Sequence, residues 1–198
     1  SWISFLSITT IGGDFFIIII DLFLAEIGFL AMFSTYYLNK YNSIPKLVDI
    51  AFRVLNFKLW FGMGVNKFYL PEDVWTEFTF FDYFFHSQPM PTPFARVLSQ
   101  SPQFLKTLAI VGLFIAEIIV PFFVFGRKHF RLIAFFTFVI TSVFIQLNGN
   151  YGYFNLLSIV LALIILKDND LDFFQSKPKK SSQAQLKIKM SFTNYFLR

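Results

Sequence analysis

Few side chains in this sequence can do chemistry, and most of those stand in apolar surroundings. Glu117 lies in Phe114-Ile-Ala-Glu-Ile-Ile-Val-Pro121, with no other charge between Lys106 and Arg127. A carboxylate placed in lipid costs a few kcal/mol, so it must face other helices and find a partner. Residue counting puts Asn56 and Lys58 at a similar depth on a neighbouring apolar run, which makes Lys58 the expected partner and Arg53 its substitute. Such a pair is either an acid–base couple or a polar clamp between helices with no chemistry. Pro121, four residues on, is expected to kink the helix and free the Glu117 carbonyl. Asp21 and Glu26 form a second intramembrane acidic set. They are five residues apart and point ~140° away from each other on a helix. They cannot make a glycosidase-type dyad alone, and each is expected to serve its own interhelical contact.

Other chemistries are excluded or weak. The chain has no cysteine, so disulfides, zinc-thiolate sites and thiol catalysis are ruled out. His86 and His129 fall on opposite sides of the expected topology and cannot share a metal; no ligand spacing around His86 suggests one. Phe61-Gly-Met-Gly-Val-Asn-Lys67 superficially resembles a phosphate loop, but no strand precedes it and it ends an apolar run. Its small residues fit a close helix approach better, with Lys67 snorkelling to the interface. No cofactor, metal or nucleic-acid partner is expected.

The remaining polar signal is concentrated. Asn148-Gly-Asn-Tyr-Gly-Tyr-Phe-Asn155 holds three asparagines and two glycines between two apolar runs, more than a turn requires. A bilayer has no water for stray amides, so this knot marks where the chain leaves and re-enters it. Upstream, Pro89, Pro91 and Pro93 alternate and are expected to form an extended strut. That strut would hold Trp75, His86 and Gln88 against Asn148, Gly149, Asn150 and Tyr151. The plain alternative is a stiff loop.

These residues must be carried by membrane helices. The chain of 198 residues is 56% hydrophobic and only 15% charged, against roughly 25% charged in soluble domains. Its mean hydropathy is +0.59. The expected architecture is all-α, a multi-pass transmembrane helix bundle with a long Pro-rich extramembrane loop between two spans. Apolar segments are expected at residues 2–11, 15–37, 48–65, 104–125, 132–147 and 151–166, with residues 66–103 outside the membrane. Lys40 and Lys46, then Arg127, Lys128 and Arg131, then Lys177, Lys179 and Lys180 fall on one side if the spans alternate. The loop 66–103 and the Asn148 knot fall on the other. Residues 1–170 are expected to be the membrane-embedded domain. Ser1 already lies in an apolar segment, so the chain reads as a fragment beginning inside a helix. Residues 171–198 form a polar basic tail, either a linker to a further part or a segment resting on anionic lipid.

At these residues the chain resembles the lipase maturation factor family of polytopic membrane proteins. The likeness is carried by Asp21 with Leu24-Ala-Glu-Ile-Gly-Phe-Leu-Ala-Met-Phe33, by Phe57-Lys-Leu-Trp-Phe-Gly-Met-Gly-Val-Asn-Lys67 and by Trp75. Ser87-Gln-Pro-Met-Pro-Thr-Pro93 and Asn148-Gly-Asn-Tyr-Gly-Tyr-Phe-Asn-Leu-Leu157 are the most specific matches. Lys58, Phe84 and His86 depart from the family pattern, which has arginine, histidine and glutamate there. A weaker likeness joins residues 53–67 and 117–131 to DoxX-like four-helix bundles. The resemblance implies a non-catalytic factor for folding, assembly and secretion of lipase-like client proteins. It implies the endoplasmic reticulum membrane in a eukaryote and the inner membrane in a bacterium. The face implied is Trp75, Gln88, Pro89, Pro91, Asn148, Gly149, Asn150, Tyr151 and Asn155. The rival classes are a membrane enzyme or redox subunit using Glu117, Lys58 and the knot on a lipid or quinone-like substrate, and a small-molecule transporter.

Overall fold

The computed structural model describes residues 2–11, 19–69, 73–88, 91–149, 151–167 and 170. These residues are helical without strands. The chain divides into two units, Ser1–Ile165 and Leu166–Arg198. In the second, the Lys167 N–H donates to Asp170 Oδ2 at 3.0 Å. The expected basic tail lies outside the described residues, as do Gly12, Gly13, Pro89 and Asn150.

The first unit is built from α1 (Trp2–Ile11), α2 (Ile19–Tyr41), α3 (Lys46–Asn66), α4 (Phe80–Ser87), α5 (Pro93–Ser99), α6 (Gln103–Phe114), α7 (Lys128–Asn148) and α8 (Phe154–Leu163). After Phe114 the α6 rod widens to a π turn, Ile115–Ile119, and then tightens to a 3₁₀ turn, Val120–Phe125. Among the described residues, three helical rods are long and apolar enough to cross a membrane: Asp21–Tyr41, Gln103–Phe125 and Lys128–Asn148. The protein is an integral multi-pass membrane protein. α3 has the length but carries Lys46, Asp49, Arg53 and Lys58, while α8, at 10 residues, is shorter than the sequence suggested. At ~1.5 Å per residue, α8 reaches about half-way across a ~30 Å core.

Hydrophobic patterning sorts the faces. Along α7, Ile133, Phe136, Ile140 and Val143 recur every three or four residues and are all exposed, forming the stripe a lipid-facing helix needs. The opposite stripe, Ala134, Phe138, Thr141 and Ser142, is buried. Phe138 stacks flat on Trp60 of α3, centroids 4.4 Å apart, at the centre of a core that includes Phe52, Val124 and Leu161. A second core of Trp75, Phe81, Phe85, Ala95, Ile110 and Leu113 joins the segment before α4, α4 and α5 to α6.

Parts of the segment 66–103 are helical and packed; of the expected proline strut, Pro89 lies outside the described residues, and Pro91 and the extended Thr92 lead directly into α5. Pro93 is the first residue of α5, where its missing N–H costs nothing, and the Thr92 side chain caps that helix by accepting from the Ala95 N–H at 3.0 Å.

Arg53 organises one end of the bundle. It is buried on α3, pairs with Asp49 one turn earlier, and donates to the Val124 carbonyl at 2.8 Å and the Ile165 carbonyl at 3.0 Å. Those carbonyls close the 3₁₀ turn and the chain after α8, where unpaired acceptors and the negative helix end both favour a cation. Arg131 Nη1 donates to the Gly126 carbonyl at the same end. The ends of α3 and α7 and the starts of α6 and α8 gather at the other end.

Candidate functional site

The polar side chains meet where α3 ends. Gly64 lets α3 approach α6, since a Cβ there would stand 2.8 Å from Ile118 Cγ1 and 3.0 Å from Glu117 Cβ. A Cβ at Gly62 would meet nothing within 4 Å, so only one of the paired glycines is needed for the approach. The π turn carrying Glu117 directly precedes the turn containing the buried Pro121, so the helix answers the proline with a change of pitch on both sides of it.

Glu117 is buried, and its partner is Lys67, not Lys58. Lys67 and Lys58 are nine residues apart on α3 and its C-cap, hence ~180° apart around the helix. Lys58 turns to α2 and meets Glu26 at 2.6 and 2.8 Å. Arg53 is committed to Asp49 and to two carbonyls, so it is no substitute. Lys67 does not snorkel outward: its side chain is 12% exposed, turned inward beneath Trp75, with Nζ 4.6 Å from the ring centroid. An enzyme built on a Lys58–Glu117 couple loses its geometry. Asp21 and Glu26 serve separate contacts, Asp21 accepting from the Tyr153 hydroxyl at 2.6 Å.

The second half of the site is the end of α7. Asn148 is buried, and its Nδ2 donates to the Phe144 carbonyl at 2.7 Å, closing the last helical turn. Gln88 Nε2 donates to the Asn148 carbonyl at 2.8 Å and Thr92 Oγ1 to the Leu147 carbonyl at 2.5 Å. Two orphan acceptors of the helix end are thereby satisfied by the segment between α4 and α5. Gly149 is extended and lies so close to Tyr151 that a Cβ would meet its Cε2 at 2.6 Å. The Tyr151 and Phe84 rings run nearly parallel, 7° apart, with centroids 6.5 Å apart. Trp75 stacks on Phe80 at 3.7 Å. Asn155 braces α8 against α7 by donating to Gln146 Oε1 at 2.7 Å.

Between these groups lies a cavity of about 460 Å³. Its walls are largely apolar and aromatic, including Trp75, Phe80, Phe84 and Phe144, while Asn66, Lys67, Glu117, Asn148 and Tyr151 supply its polar points. Of the residues singled out from sequence, the structure brings Trp75, Gln88, Asn148, Gly149 and Tyr151 into one end of the bundle with Lys67 and Glu117. His86 is exposed and apart from the cavity lining, Pro91 is exposed, and Lys58 lies on the α2 side of α3. Among the described residues no three His, Asp or Glu side chains converge as a metal site would require. Sequence reasoning missed Thr92 and Phe84 as site-building residues. The Thr92-Pro93 pair before α5 signals the cap, but nothing local signals the bond to Leu147.

A family profile described as the lipase maturation factor transmembrane domain matches residues 1–173. The chain belongs to the lipase maturation factor family. It is 31% identical over 203 residues to lipase maturation factor 2 of Xenopus tropicalis, covering 99% of this chain and 29% of that protein. It is 32% identical to lipase maturation factor 2 of Homo sapiens, covering 86% of this chain and 26% of the relative. Lipase maturation factor 1 of Mus musculus is 27% identical, with 97% and 34% covered. The chain thus spans about a quarter to a third of the length of these curated relatives. No solved structure matches it. The family assignment places the Lys67–Glu117 pair, Trp75 and the Asn148 turn inside the segment matched by the lipase maturation factor profile.

Proposed function

We propose that the chain is the membrane-embedded part of a maturation factor that assists folding, assembly and secretion of client proteins such as lipases. Membership of the lipase maturation factor family, across residues 1–173, is the observation that carries this reading. The working face is the bundle end built from Trp75, Gln88, Asn148, Gly149 and Tyr151, opposite the Arg53 and Arg131 end, and Asn150 is assigned to it from its place in the sequence. The role is non-catalytic: the site offers an aromatic surface and fixed polar points, which suit holding a partly folded chain. In a eukaryotic cell the location is the endoplasmic reticulum membrane, with the working face towards the lumen and the basic loops towards the cytosol.

The test is secretion of active lipase from cells lacking their own factor and supplied with the full-length protein. Gln88→Ala and Asn150→Ala are expected to lower active secreted lipase several-fold while the protein accumulates in the membrane as before. Normal accumulation with unchanged secretion would remove this face from client handling. Loss of the protein itself would make both residues structural caps.

A further inference from the structure

The cavity shares Trp75, Asn148 and Tyr151 with the proposed client face and adds a buried ion pair, Lys67 with Glu117, that client handling does not use. Its volume of about 460 Å³ falls within the roughly 300–1,000 Å³ of small-molecule sites. Among the described residues, the charged groups in its lining are Lys67 and Glu117, bound to each other. Their charges sum to zero wherever the shared proton resides, so an anion would meet the carboxylate and a cation the ammonium. Asn148 is 2% exposed, lines the cavity, and its Oδ1 has no hydrogen-bond partner among the described residues. Its orientation is fixed, because Nδ2 must donate to the Phe144 carbonyl and a flipped amide would set two carbonyls together. A buried acceptor without a donor is costly and calls for a ligand hydroxyl or N–H. Lys67 has three N–H donors; one serves Glu117 and the Trp75 ring covers one side of the ammonium, which leaves a donor for a ligand carbonyl. Asn66 and Tyr151 are the other polar side chains of the described lining, and the rest of it is mostly aromatic and aliphatic.

We infer that this cavity binds an uncharged, single-tailed amphiphile whose head carries a hydroxyl beside a carbonyl, as in a fatty ester or a fatty amide alcohol. The head hydroxyl donates to Asn148 Oδ1, its carbonyl accepts from Lys67 Nζ, and the tail lies along Phe80, Phe84 and Phe144. The inference goes beyond the client-handling proposal and does not depend on it, since a lipid-free cavity would leave lipase secretion to be measured separately.

The probe is a monooleoylglycerol with a diazirine in its acyl chain, photolysed with the full chain in nanodiscs, the adducts being mapped by mass spectrometry. Adducts are expected on Trp75, Phe84, Phe144 or Tyr151. Excess monooleoylglycerol or N-oleoyl ethanolamine should displace the probe, and oleate or oleylamine at the same concentration should not. Ile145→Trp fills the cavity and should lower labelling about tenfold or more, and Asn148→Leu about fivefold to tenfold, the worth of one buried hydrogen bond. Ile140→Trp, on the exposed stripe of α7, should leave labelling unchanged. Variants are compared only where their melting transition matches the parent. If neither cavity variant folds, the adduct map and competition on the unaltered chain decide. Adducts elsewhere, equal competition by oleate, or a folded Ile145→Trp that labels like the parent would each overturn the proposal. Displacement only by an apolar client peptide would also overturn it and assign the cavity to a protein segment.

Discussion

Breaking the Lys67–Glu117 pair should be among the most damaging single changes in the bundle, and the size of the damage can be reasoned from burial. The Glu117 side chain is 2% exposed and the Lys67 side chain 12%. Removing one member of such a pair leaves an uncompensated buried charge, at a cost of roughly 3–5 kcal/mol. Glu117→Gln should fall towards the lower end, because Lys67 keeps the face of Trp75 at 4.6 Å, a contact worth ~0.5–2 kcal/mol. Lys67→Met should cost more, since Glu117 has no second cationic neighbour in the cavity lining. The double variant removes both charges and should recover more than half of the summed loss, a coupling of at least ~2 kcal/mol. Reversible unfolding in mixed micelles supplies the four free energies of the cycle. Lys58→Met with Glu117→Gln is the control, and should be additive within ~0.5 kcal/mol because Lys58 belongs to Glu26. Additivity for Lys67 with Glu117, or coupling for Lys58 with Glu117, would refute the reasoning.

Two further outcomes follow from packing and backbone capping. Gly64→Leu should destabilise by ~1–3 kcal/mol through overpacking against Ile118 and Glu117, whereas Gly62→Ala should be neutral or stabilise by up to ~1 kcal/mol; thermal melts in detergent distinguish them. Arg53→Met should cost ~2–4 kcal/mol by stranding the Val124 and Ile165 carbonyls, and Arg53→Lys should recover less than half, because a single ammonium cannot span Asp49 and both carbonyls as the guanidinium fork does. Equal stability of the Lys and Arg proteins would remove the fork from the account.

The sequence exposes the site more clearly than the wiring beneath it. Asn148, Tyr151, Trp75 and Gln88 are legible because polar and aromatic groups interrupt apolar runs, and an interruption is local information. Glu117 is legible for the same reason, but its partner is not. Counting residues treats the rods as starting level, whereas α3 and the α6 rod contact each other with Arg53 at Val124 and Gly64 at Glu117. The first turns of α6 therefore overhang the end of α3, and Glu117 meets the last residues of α3 instead of its middle. Helical phase would have separated Lys58 from Lys67, but only once the face of α3 turned to α6 was known. The strut illustrates a second limit. Alternating prolines favour extended backbone, which Thr92 keeps, but Thr92 before Pro93 is also a cap and helix start, and Ala95 packs that helix into the second core. Asn56, placed from sequence only by its depth beside Lys58, is buried on α3 with neither end of its amide partnered among the described residues.

Site-directed photo-crosslinking reads out whether, as proposed, clients are handled at the bundle end that holds the cavity. Tyr83 is 65% exposed on α4 at that end, and His129 lies in the basic turn at the other. A photoreactive residue is placed at each position in the full-length protein, in cells making a secreted lipase. The account predicts that position 83 captures newly made lipase and that position 129 captures none. Capture from position 129, or from both positions equally, would contradict it.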